Sequence, residues 1–147
     1  MSLMPERHAE LKRLAIQLRR LVVESVYHAG AGHLGGPMSA AEMLIALYFE
    51  ELNIDPENPR DENRDRFILS KGHSSIGLYA ALALRGYLPL EELKTFDDID
   101  SRLQGHPDMT VLPGLDMSTG SLGQGLSPGL GMALAARLKQ QSFHTWV

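Results

Sequence analysis

Three Gly-His dipeptides are the residues of this chain with the clearest potential for chemistry. They are Gly32-His33, Gly72-His73 and Gly105-His106, whereas six histidines and 14 glycines among 147 residues would give fewer than one such pair by chance. A neutral imidazole offers one hydrogen-bond donor and one acceptor, and its charge can change near pH 7. An adjacent glycine lets a ligand approach the backbone closely. The pairs therefore indicate contacts with sugar hydroxyls or phosphates.

The surroundings of the first two histidines favour a ligand site without requiring one. His33 lies in the stretch AGHLGGPM, in which three glycines leave room for a ligand and Pro37 stiffens the turn. His73 directly precedes a predicted helix start, where free backbone N–H groups favour an anion. The alternatives are a structural hydrogen bond for His33 and a turn-capping contact for His73.

The third histidine, His106, lies in the turn QGHPD. Asp108 either orients the imidazole or is an exposed turn residue, and the sequence leaves both possibilities open. No histidine–carboxylate spacing predicts a metal site, and no Ser-His-Asp arrangement is readable. The acidic run between Glu91 and Asp100 is interpreted as a solvated surface. No role is assigned to the remaining histidines, which are His8, His28 and His144.

A glycine-rich stretch, STGSLGQGLSPGLG at residues 118–131, is the fourth candidate feature. It does not match the dinucleotide pattern G-x-G-x-x-G, and it lacks the lysine of a phosphate-binding P-loop. Two interpretations stay open. Either the backbone comes very close to something flat or bulky, or the glycines allow a helix to pack tightly against a neighbour.

Helices and strands alternate along the chain, as apolar spacing and capping residues indicate. The first predicted helix covers 6–29 and is ended by Gly30 and Gly32. The second runs from the capping box Ser39-Ala40-Ala41-Glu42 to about Glu51, and the third is capped by Ser74 or Ser75, runs through Leu84 and is ended by Gly86. A short helix is predicted from Pro89 to about Phe96, and a last one from Gly125 to Lys139. The predicted strands are FILS (67–70) and a buried FHTWV (143–147). Residues 53–66 are predicted to be a polar surface loop, and 97–123 an irregular stretch.

This alternation favours an α/β domain with a parallel sheet and flanking helices, in which ligands bind at the carboxyl ends of the strands. Only two strands are convincing, so we expect an incomplete sheet in a chain that stops early. Residues 1–3 are interpreted as an expression leader, and 4–147 as a partial domain.

Composition excludes several classes of function. The net charge of −4 argues against a nucleic-acid partner. No run of about 18 apolar residues predicts a membrane span, and the N-terminus lacks a secretion pattern. The absence of cysteine excludes disulfides, thiolate metal sites and cysteine nucleophiles. We therefore expect a cytoplasmic protein without a membrane partner.

Four motifs together resemble a known family. They are GHLGGPMSAAEMLIALY, DRFILSKGHSSIGLYA, QGHPD and MSTGSLGQGLSPGLGMALA, and they look like the N-terminal part of transketolase. The likeness is greatest to the N-terminal subunit of transketolases that are split into two chains. It runs from about residue 7 to residue 147.

The resemblance implies a domain that binds thiamine diphosphate and catalyses transfer of a two-carbon ketol unit. His73 matches the histidine that contacts the cofactor's phosphate, and His33 and His106 match histidines beside the reactive carbon. Gly120 and Leu122 match positions that pack against the cofactor rings. Ser121, between them, stands where the family often has proline.

The resemblance also implies what lies outside this chain. The ligands for Mg²⁺ or Ca²⁺ are expected beyond residue 147, in a Gly-Asp-Gly motif. The expected partners are a transketolase C-terminal subunit, further copies of the chain in a homo-oligomer, and sugar phosphate substrates. The chain alone is expected to be inactive. A deoxyxylulose phosphate synthase-like enzyme and a non-catalytic assembly subunit stay open as alternatives.

Overall fold

The structure is a computed structural model that describes residues 4–147, so the predicted expression leader lies outside the described residues. The elements in chain order are α1 (Pro5–Ala29), α2 (Gly35–Ala46), β1 (Arg66–Phe67), α3 (Ser75–Arg85), α4 (Leu126–Leu138) and β2 (Thr145–Trp146). A π-helical turn at Leu47–Glu51 continues α2, and 3₁₀ helices at Gly72–Ser74 and Leu90–Thr95 precede and follow α3. Helices α1, α2 and α3 pack against one another and enclose the core.

Helix α1 follows the apolar spacing of the sequence. Its buried residues recur every three or four positions, at Leu11, Ala15, Leu18, Val22 and Ser25. That spacing places one face of the helix against α2 and α3. Gly30 ends the helix with φ 64°, a left-handed backbone that glycine adopts at little cost. The predicted helix and its glycine stop are confirmed.

Helix α2 begins at Gly35 rather than at the predicted capping box. The Ser39 hydroxyl donates to the Gly36 carbonyl at 2.9 Å, so Ser39 already lies within the helix. Glu42 forms an ion pair with Arg19 of α1 at 2.6 Å. The predicted capping box is therefore wrong, because a tertiary contact uses the carboxylate that would have turned back toward Ser39.

Helix α3 is the most deeply buried element, since every residue from Ser75 to Ala83 is buried. Gly86 ends it with φ 98°, as predicted. Ser74 occupies the predicted cap position but its side chain makes no capping hydrogen bond. The cap prediction is thus correct in position and wrong in mechanism.

Strands β1 and β2 pair in parallel, with Arg66 opposite Thr145 and Phe67 opposite Trp146. This confirms a partial α/β domain with a small parallel sheet. The predicted burial of the last strand is wrong, because Thr145 and Trp146 are only half-buried and Val147 is 50% exposed. Within residues 4–147 no third strand covers the outer edge of β2.

The amino end of β1 carries a buried network of charges that the sequence did not predict. The Arg64 guanidinium donates to both carboxylate oxygens of Asp116, at 2.6 and 3.1 Å. Asp65 accepts a hydrogen bond from the His144 backbone N–H at 2.7 Å and joins the start of β2 to β1. The predicted polar loop over 53–66 is present, but it ends in buried charges rather than in solvent.

Helix α4 confirms the predicted helix between Gly125 and Lys139 but contributes little to the core. Only Gly129 and Ala136 are buried, whereas four leucines are more than half exposed: Leu126, Leu130, Leu134 and Leu138. An apolar stripe thus faces outward. None of the helices in the described part of the chain combines the length and apolar character needed to cross a membrane.

Candidate active site at the carboxyl end of β1

The candidate site begins where β1 ends and the chain turns into α3. Gly72 is buried in this turn, where an added Cβ would clash with the Thr119 carbonyl and lie 2.7 Å from the Gly120 nitrogen. Only glycine therefore allows the two backbones to meet. The Thr119 hydroxyl also donates to the Leu69 carbonyl at 2.7 Å. These contacts join the glycine-rich stretch to the end of β1.

The first two predicted histidines lie side by side. The ring centroids of His33 and His73 are 5.4 Å apart, with the planes tilted by 57°. Gly36 permits this approach, because an added Cβ would clash with the Ser74 hydroxyl and lie 3.9 Å from the His73 ring. The Lys71 ammonium donates to the Gly36 carbonyl at 3.2 Å and links the two loops. His33 is exposed and His73 half-buried, so solvent reaches both loops.

The third predicted histidine reaches the same place through the glycine-rich stretch. A Cβ added to Gly120 would lie 3.5 Å from His106 Cδ2 and 4.0 Å from its Nε2. Gly120 is also the residue whose nitrogen approaches Gly72. The three Gly-His pairs, far apart in sequence, therefore converge at one end of the sheet.

The geometry decides between the two interpretations of Asp108. Its carboxylate accepts hydrogen bonds from the Thr110 N–H at 2.8 Å, the Thr110 hydroxyl at 2.7 Å and the Ser118 hydroxyl at 3.2 Å. These bonds, the Thr110 N–H foremost, hold the pKa of Asp108 below its ordinary range. Asp108 is thus a turn residue and does not orient the His106 imidazole.

Helix α3 holds the backbone of His106 and of the two residues before it, through two residues that sequence reasoning missed. The Tyr79 hydroxyl donates to the Gln104 carbonyl at 2.9 Å and lies 3.3 Å from the His106 carbonyl. The Ser75 hydroxyl donates to the Gly105 carbonyl at 2.9 Å. Burial raises the pKa of Tyr79 above its usual range, so its hydroxyl keeps its proton. In the sequence Tyr79 falls on an apolar helix face, which is typical of a core residue.

Asp97 supplies one more anchor for the same turn. Its carboxylate accepts a hydrogen bond from the Gly105 N–H at 3.1 Å. The residue has φ 63°, an unusual backbone for a side chain other than glycine. The interpretation of the acidic run as a merely solvated surface is therefore wrong at Asp97.

The structure confirms one of the two interpretations of the glycine-rich stretch, tight helix packing, at its second half. An added Cβ on Gly125 would lie 2.8 Å from Ile68 Cγ2, and one on Gly129 would lie 2.5 Å from Val147 Cγ2. These glycines allow α4 to pack on the strands. Gly123 has φ 85° and no atom within 4 Å of its built Cβ. Gly123 thus faces open space, Gly125 and Gly129 pack against the sheet, and a close approach of the backbone to a ligand stays a prediction.

Three of the four residues predicted to bind the cofactor, all but His73, form an exposed strip that begins beside His106 at Gly120. Gly120 and Ser121 are exposed, and the Leu122 side chain is 71% exposed. An apolar side chain that is held out to solvent suits contact with a flat, partly apolar ligand. We call residues Gly120–Leu122 the exposed strip below.

Comparison with known proteins gives a consistent result. The family described as "Transketolase, thiamine diphosphate binding domain" matches residues 11–145. A 6-deoxy-6-sulfo-D-fructose transketolase subunit from Clostridium sp. is 48% identical over 92% of this chain and 49% of its own length. An apulose-4-phosphate transketolase subunit from Phocaeicola vulgatus is 43% identical over 88% of this chain and 46% of its own length. The chain thus spans about half the length of these curated relatives.

Solved structures agree with the sequence relatives. A transketolase variant from Pichia stipitis superposes with a TM-score of 0.87 at 36% identity, over 92% of this chain and 21% of that one. The transketolase of Campylobacter jejuni superposes with a TM-score of 0.85 at 40% identity, over 95% of this chain and 21% of that one. Sequence and fold lead to one conclusion: the chain belongs to the transketolase family and carries its thiamine diphosphate-binding domain fold.

Proposed function

We propose that this chain supplies the part of a transketolase active site that binds the diphosphate of thiamine diphosphate. The complete enzyme would move a two-carbon ketol unit from a ketose phosphate to an aldose phosphate. The convergence of the three Gly-His pairs on the exposed strip carries this proposal. It occurs at the carboxyl end of a parallel strand, which is where α/β domains bind ligands.

The polar side of the site fits a diphosphate. Lys71 and His73 are adjacent to the sharp turn at Gly72, and both are half-buried. A lysine ammonium has three donors, of which one reaches the Gly36 carbonyl, and an imidazole N–H adds another. Lys71 and His73 would bind the diphosphate oxygens.

The other side of the site fits the cofactor rings and the sugar. The exposed strip offers backbone at Gly120 and an apolar surface at Leu122. When bound, thiamine diphosphate supplies the electron sink that carbon–carbon bond cleavage in a ketose requires. His33 and His106 would donate hydrogen bonds to sugar hydroxyls and move protons at those oxygens.

We propose that the divalent metal is held by residues outside this sequence. Residues 4–147 contain no group of three or more histidine, cysteine, aspartate or glutamate side chains that is placed to hold a metal. In the proposed site, Mg²⁺ or Ca²⁺ would take its ligands from outside residues 4–147. The isolated chain would then bind cofactor weakly and show no turnover with ribose and xylulose phosphates.

A second polypeptide would complete the site. Two relatives that match most of this chain are named as transketolase subunits. We therefore propose that the partner is a transketolase C-terminal subunit, in a cytoplasmic complex that contains more than one copy of each chain.

Histidine side-chain NMR of the chain tests the diphosphate site directly. Thiamine diphosphate and inorganic pyrophosphate, each with Mg²⁺, should shift the His73 signals, and thiamine without phosphate should not. We expect a Kd weaker than about 1 mM, because the proposed metal ligands lie outside residues 4–147. His144 is the internal control, since it lies at the amino end of the sheet with its side chain 79% exposed. Equal shifts at His73 and His144, or none at either, would contradict the proposal.

Turnover assays with the C-terminal subunit separate the alternatives. A requirement for pyruvate in place of a ketose donor would favour a deoxyxylulose phosphate synthase-like enzyme. Full activity after substitution of His33, His73 and His106 together would favour a non-catalytic assembly subunit.

A further inference from the structure

Helix α3 packs against or joins each of the segments that position the three histidines. His73 lies in the 3₁₀ turn that leads directly into the helix. Gly77 lies against the first turn of α2, which follows the loop of His33, and an added Cβ there would be 3.1 Å from Pro37 Cβ. Ser75 and Tyr79 hold the loop of His106. One buried helix thus leads out of the His73 turn, packs against the helix that follows His33 and binds the His106 loop directly.

The contacts to the His106 loop differ from the others because they are hydrogen bonds made by helix side chains to a loop backbone. Tyr79 and Ser75 are both fully buried, with no exposed surface. Their hydroxyls reach the carbonyls of three consecutive residues, Gln104, Gly105 and His106. No side-chain hydrogen bond to the His106 imidazole occurs within residues 4–147, so its backbone and its packing against Gly120 set its position.

We propose that Tyr79, assisted by Ser75, is a positioning residue that fixes the His106 imidazole relative to His73. Its hydroxyl acts through the loop backbone and touches neither substrate nor cofactor. The loss of this hydroxyl would let the Gln104–His106 turn shift, while the His73 turn would stay in place because it is continuous with the helix. The catalytic consequence rests on the proposed function of His106, whereas the positional consequence does not.

The first test is histidine side-chain NMR of the whole chain with Tyr79→Phe. We expect the His106 signals to shift and broaden while those of His33 and His73 stay in place. Tyr48→Phe is the matched control, because Tyr48 is also buried but its hydroxyl makes no hydrogen bond within residues 4–147. If Tyr79→Phe does not fold, Ser75→Ala tests the same loop. An unchanged His106 signal in the folded variant would overturn the proposal.

The second test is the kinetics of the complete two-subunit enzyme. Tyr79→Phe should lower kcat about tenfold, the equivalent of one lost positioning hydrogen bond, without weakening thiamine diphosphate binding. A purely structural role would instead lower thermal stability and cofactor affinity together, and that result would overturn the proposal. If His106→Ala is fully active while Tyr79→Phe still shifts the His106 signals, the proposed function of His106 is wrong and the positioning role is supported.

Discussion

The two ends of strand β1 are built from opposite kinds of contact. At the amino end, Arg64 and Asp116 are buried, with side chains only 10% and 5% exposed, and they neutralise each other at 2.6 Å. At the carboxyl end, His33 is exposed, His73 is half-buried, and the buried Ser74 hydroxyl has no partner within residues 4–147. The same strand thus joins a buried, paired ion network at its amino end to partly exposed imidazoles at its carboxyl end.

The difference indicates a structural role for the amino end of β1 and agrees with the ligand binding that we propose at its carboxyl end. Asp116 also accepts the Phe67 N–H at 2.8 Å, so its carboxylate serves both a guanidinium and the strand backbone. A network with this many internal bonds has little capacity left for a ligand. At the other end, glycines bring backbones together and leave the imidazoles free to bind.

The largest expected effect is at the amino end, with Asp116→Ala. This change leaves the Arg64 charge buried and unpaired, which costs about 3–5 kcal/mol in the free energy of unfolding. Chemical denaturation measures it. Glu91→Ala is the control, because the Glu91–Lys94 pair has the same 2.6 Å separation on an exposed surface. Equal losses of unfolding free energy in both variants would contradict a structural role for the buried network.

Gly72→Ala should disrupt the close backbone contact that joins the carboxyl end of β1 to the glycine-rich stretch. The added methyl group would meet the Thr119 carbonyl and the Gly120 nitrogen, so the two backbones must separate, at a cost of about 1–3 kcal/mol. The His73 and His106 NMR signals should both move. Gly35→Ala is the matched control, since its built Cβ has no atom within 4 Å. Comparable destabilisation by both variants would contradict the close-approach argument.

His73→Gln should separate binding from stability. We expect the free energy of unfolding to change by less than about 0.5 kcal/mol, because the imidazole makes no hydrogen bond within the described residues. The response of the chain to pyrophosphate should be lost. A large loss of stability would mean that the carboxyl end is structural like the amino end.

The smallest expected effect is a pH dependence at Asp108. Its folded pKa lies below the ordinary value of 3.8, so its stabilising contribution is present above that value and is lost as the pH falls through the folded pKa. The Tm of the wild type should exceed that of Asp108→Ala near neutral pH, and the two should converge below 3.8. A gap that persists in acid would assign the stabilisation to something other than the ionised carboxylate.

The sequence was most informative where local rules and tertiary packing agree. The apolar spacing of α1 and the left-handed glycines Gly30 and Gly86 depend on nearest neighbours along the chain, and their predictions are confirmed. The capping box at Ser39 failed because Glu42 found a better partner in Arg19, a residue on another helix. Predictions from local sequence patterns thus fail where a tertiary contact competes for the same side chain.

The candidate site shows the same division. Residue types and motif order indicated the three Gly-His pairs and the glycine-rich stretch. The anchors Ser75, Tyr79 and Asp97 were missed. No sequence pattern indicates that these side chains form hydrogen bonds with backbone groups of a distant loop.

The sequence by itself determined the helices, the parallel α/β class, the family, and which histidines and glycines are candidates for the site. The tertiary structure alone decided that His33 lies 5.4 Å from His73, that Asp108 belongs to a turn, and that Arg64 is paired with Asp116. The physical reason is distance along the chain. Helix periodicity acts over three or four residues, whereas these contacts join segments that only the packing of α1, α2 and α3 brings together.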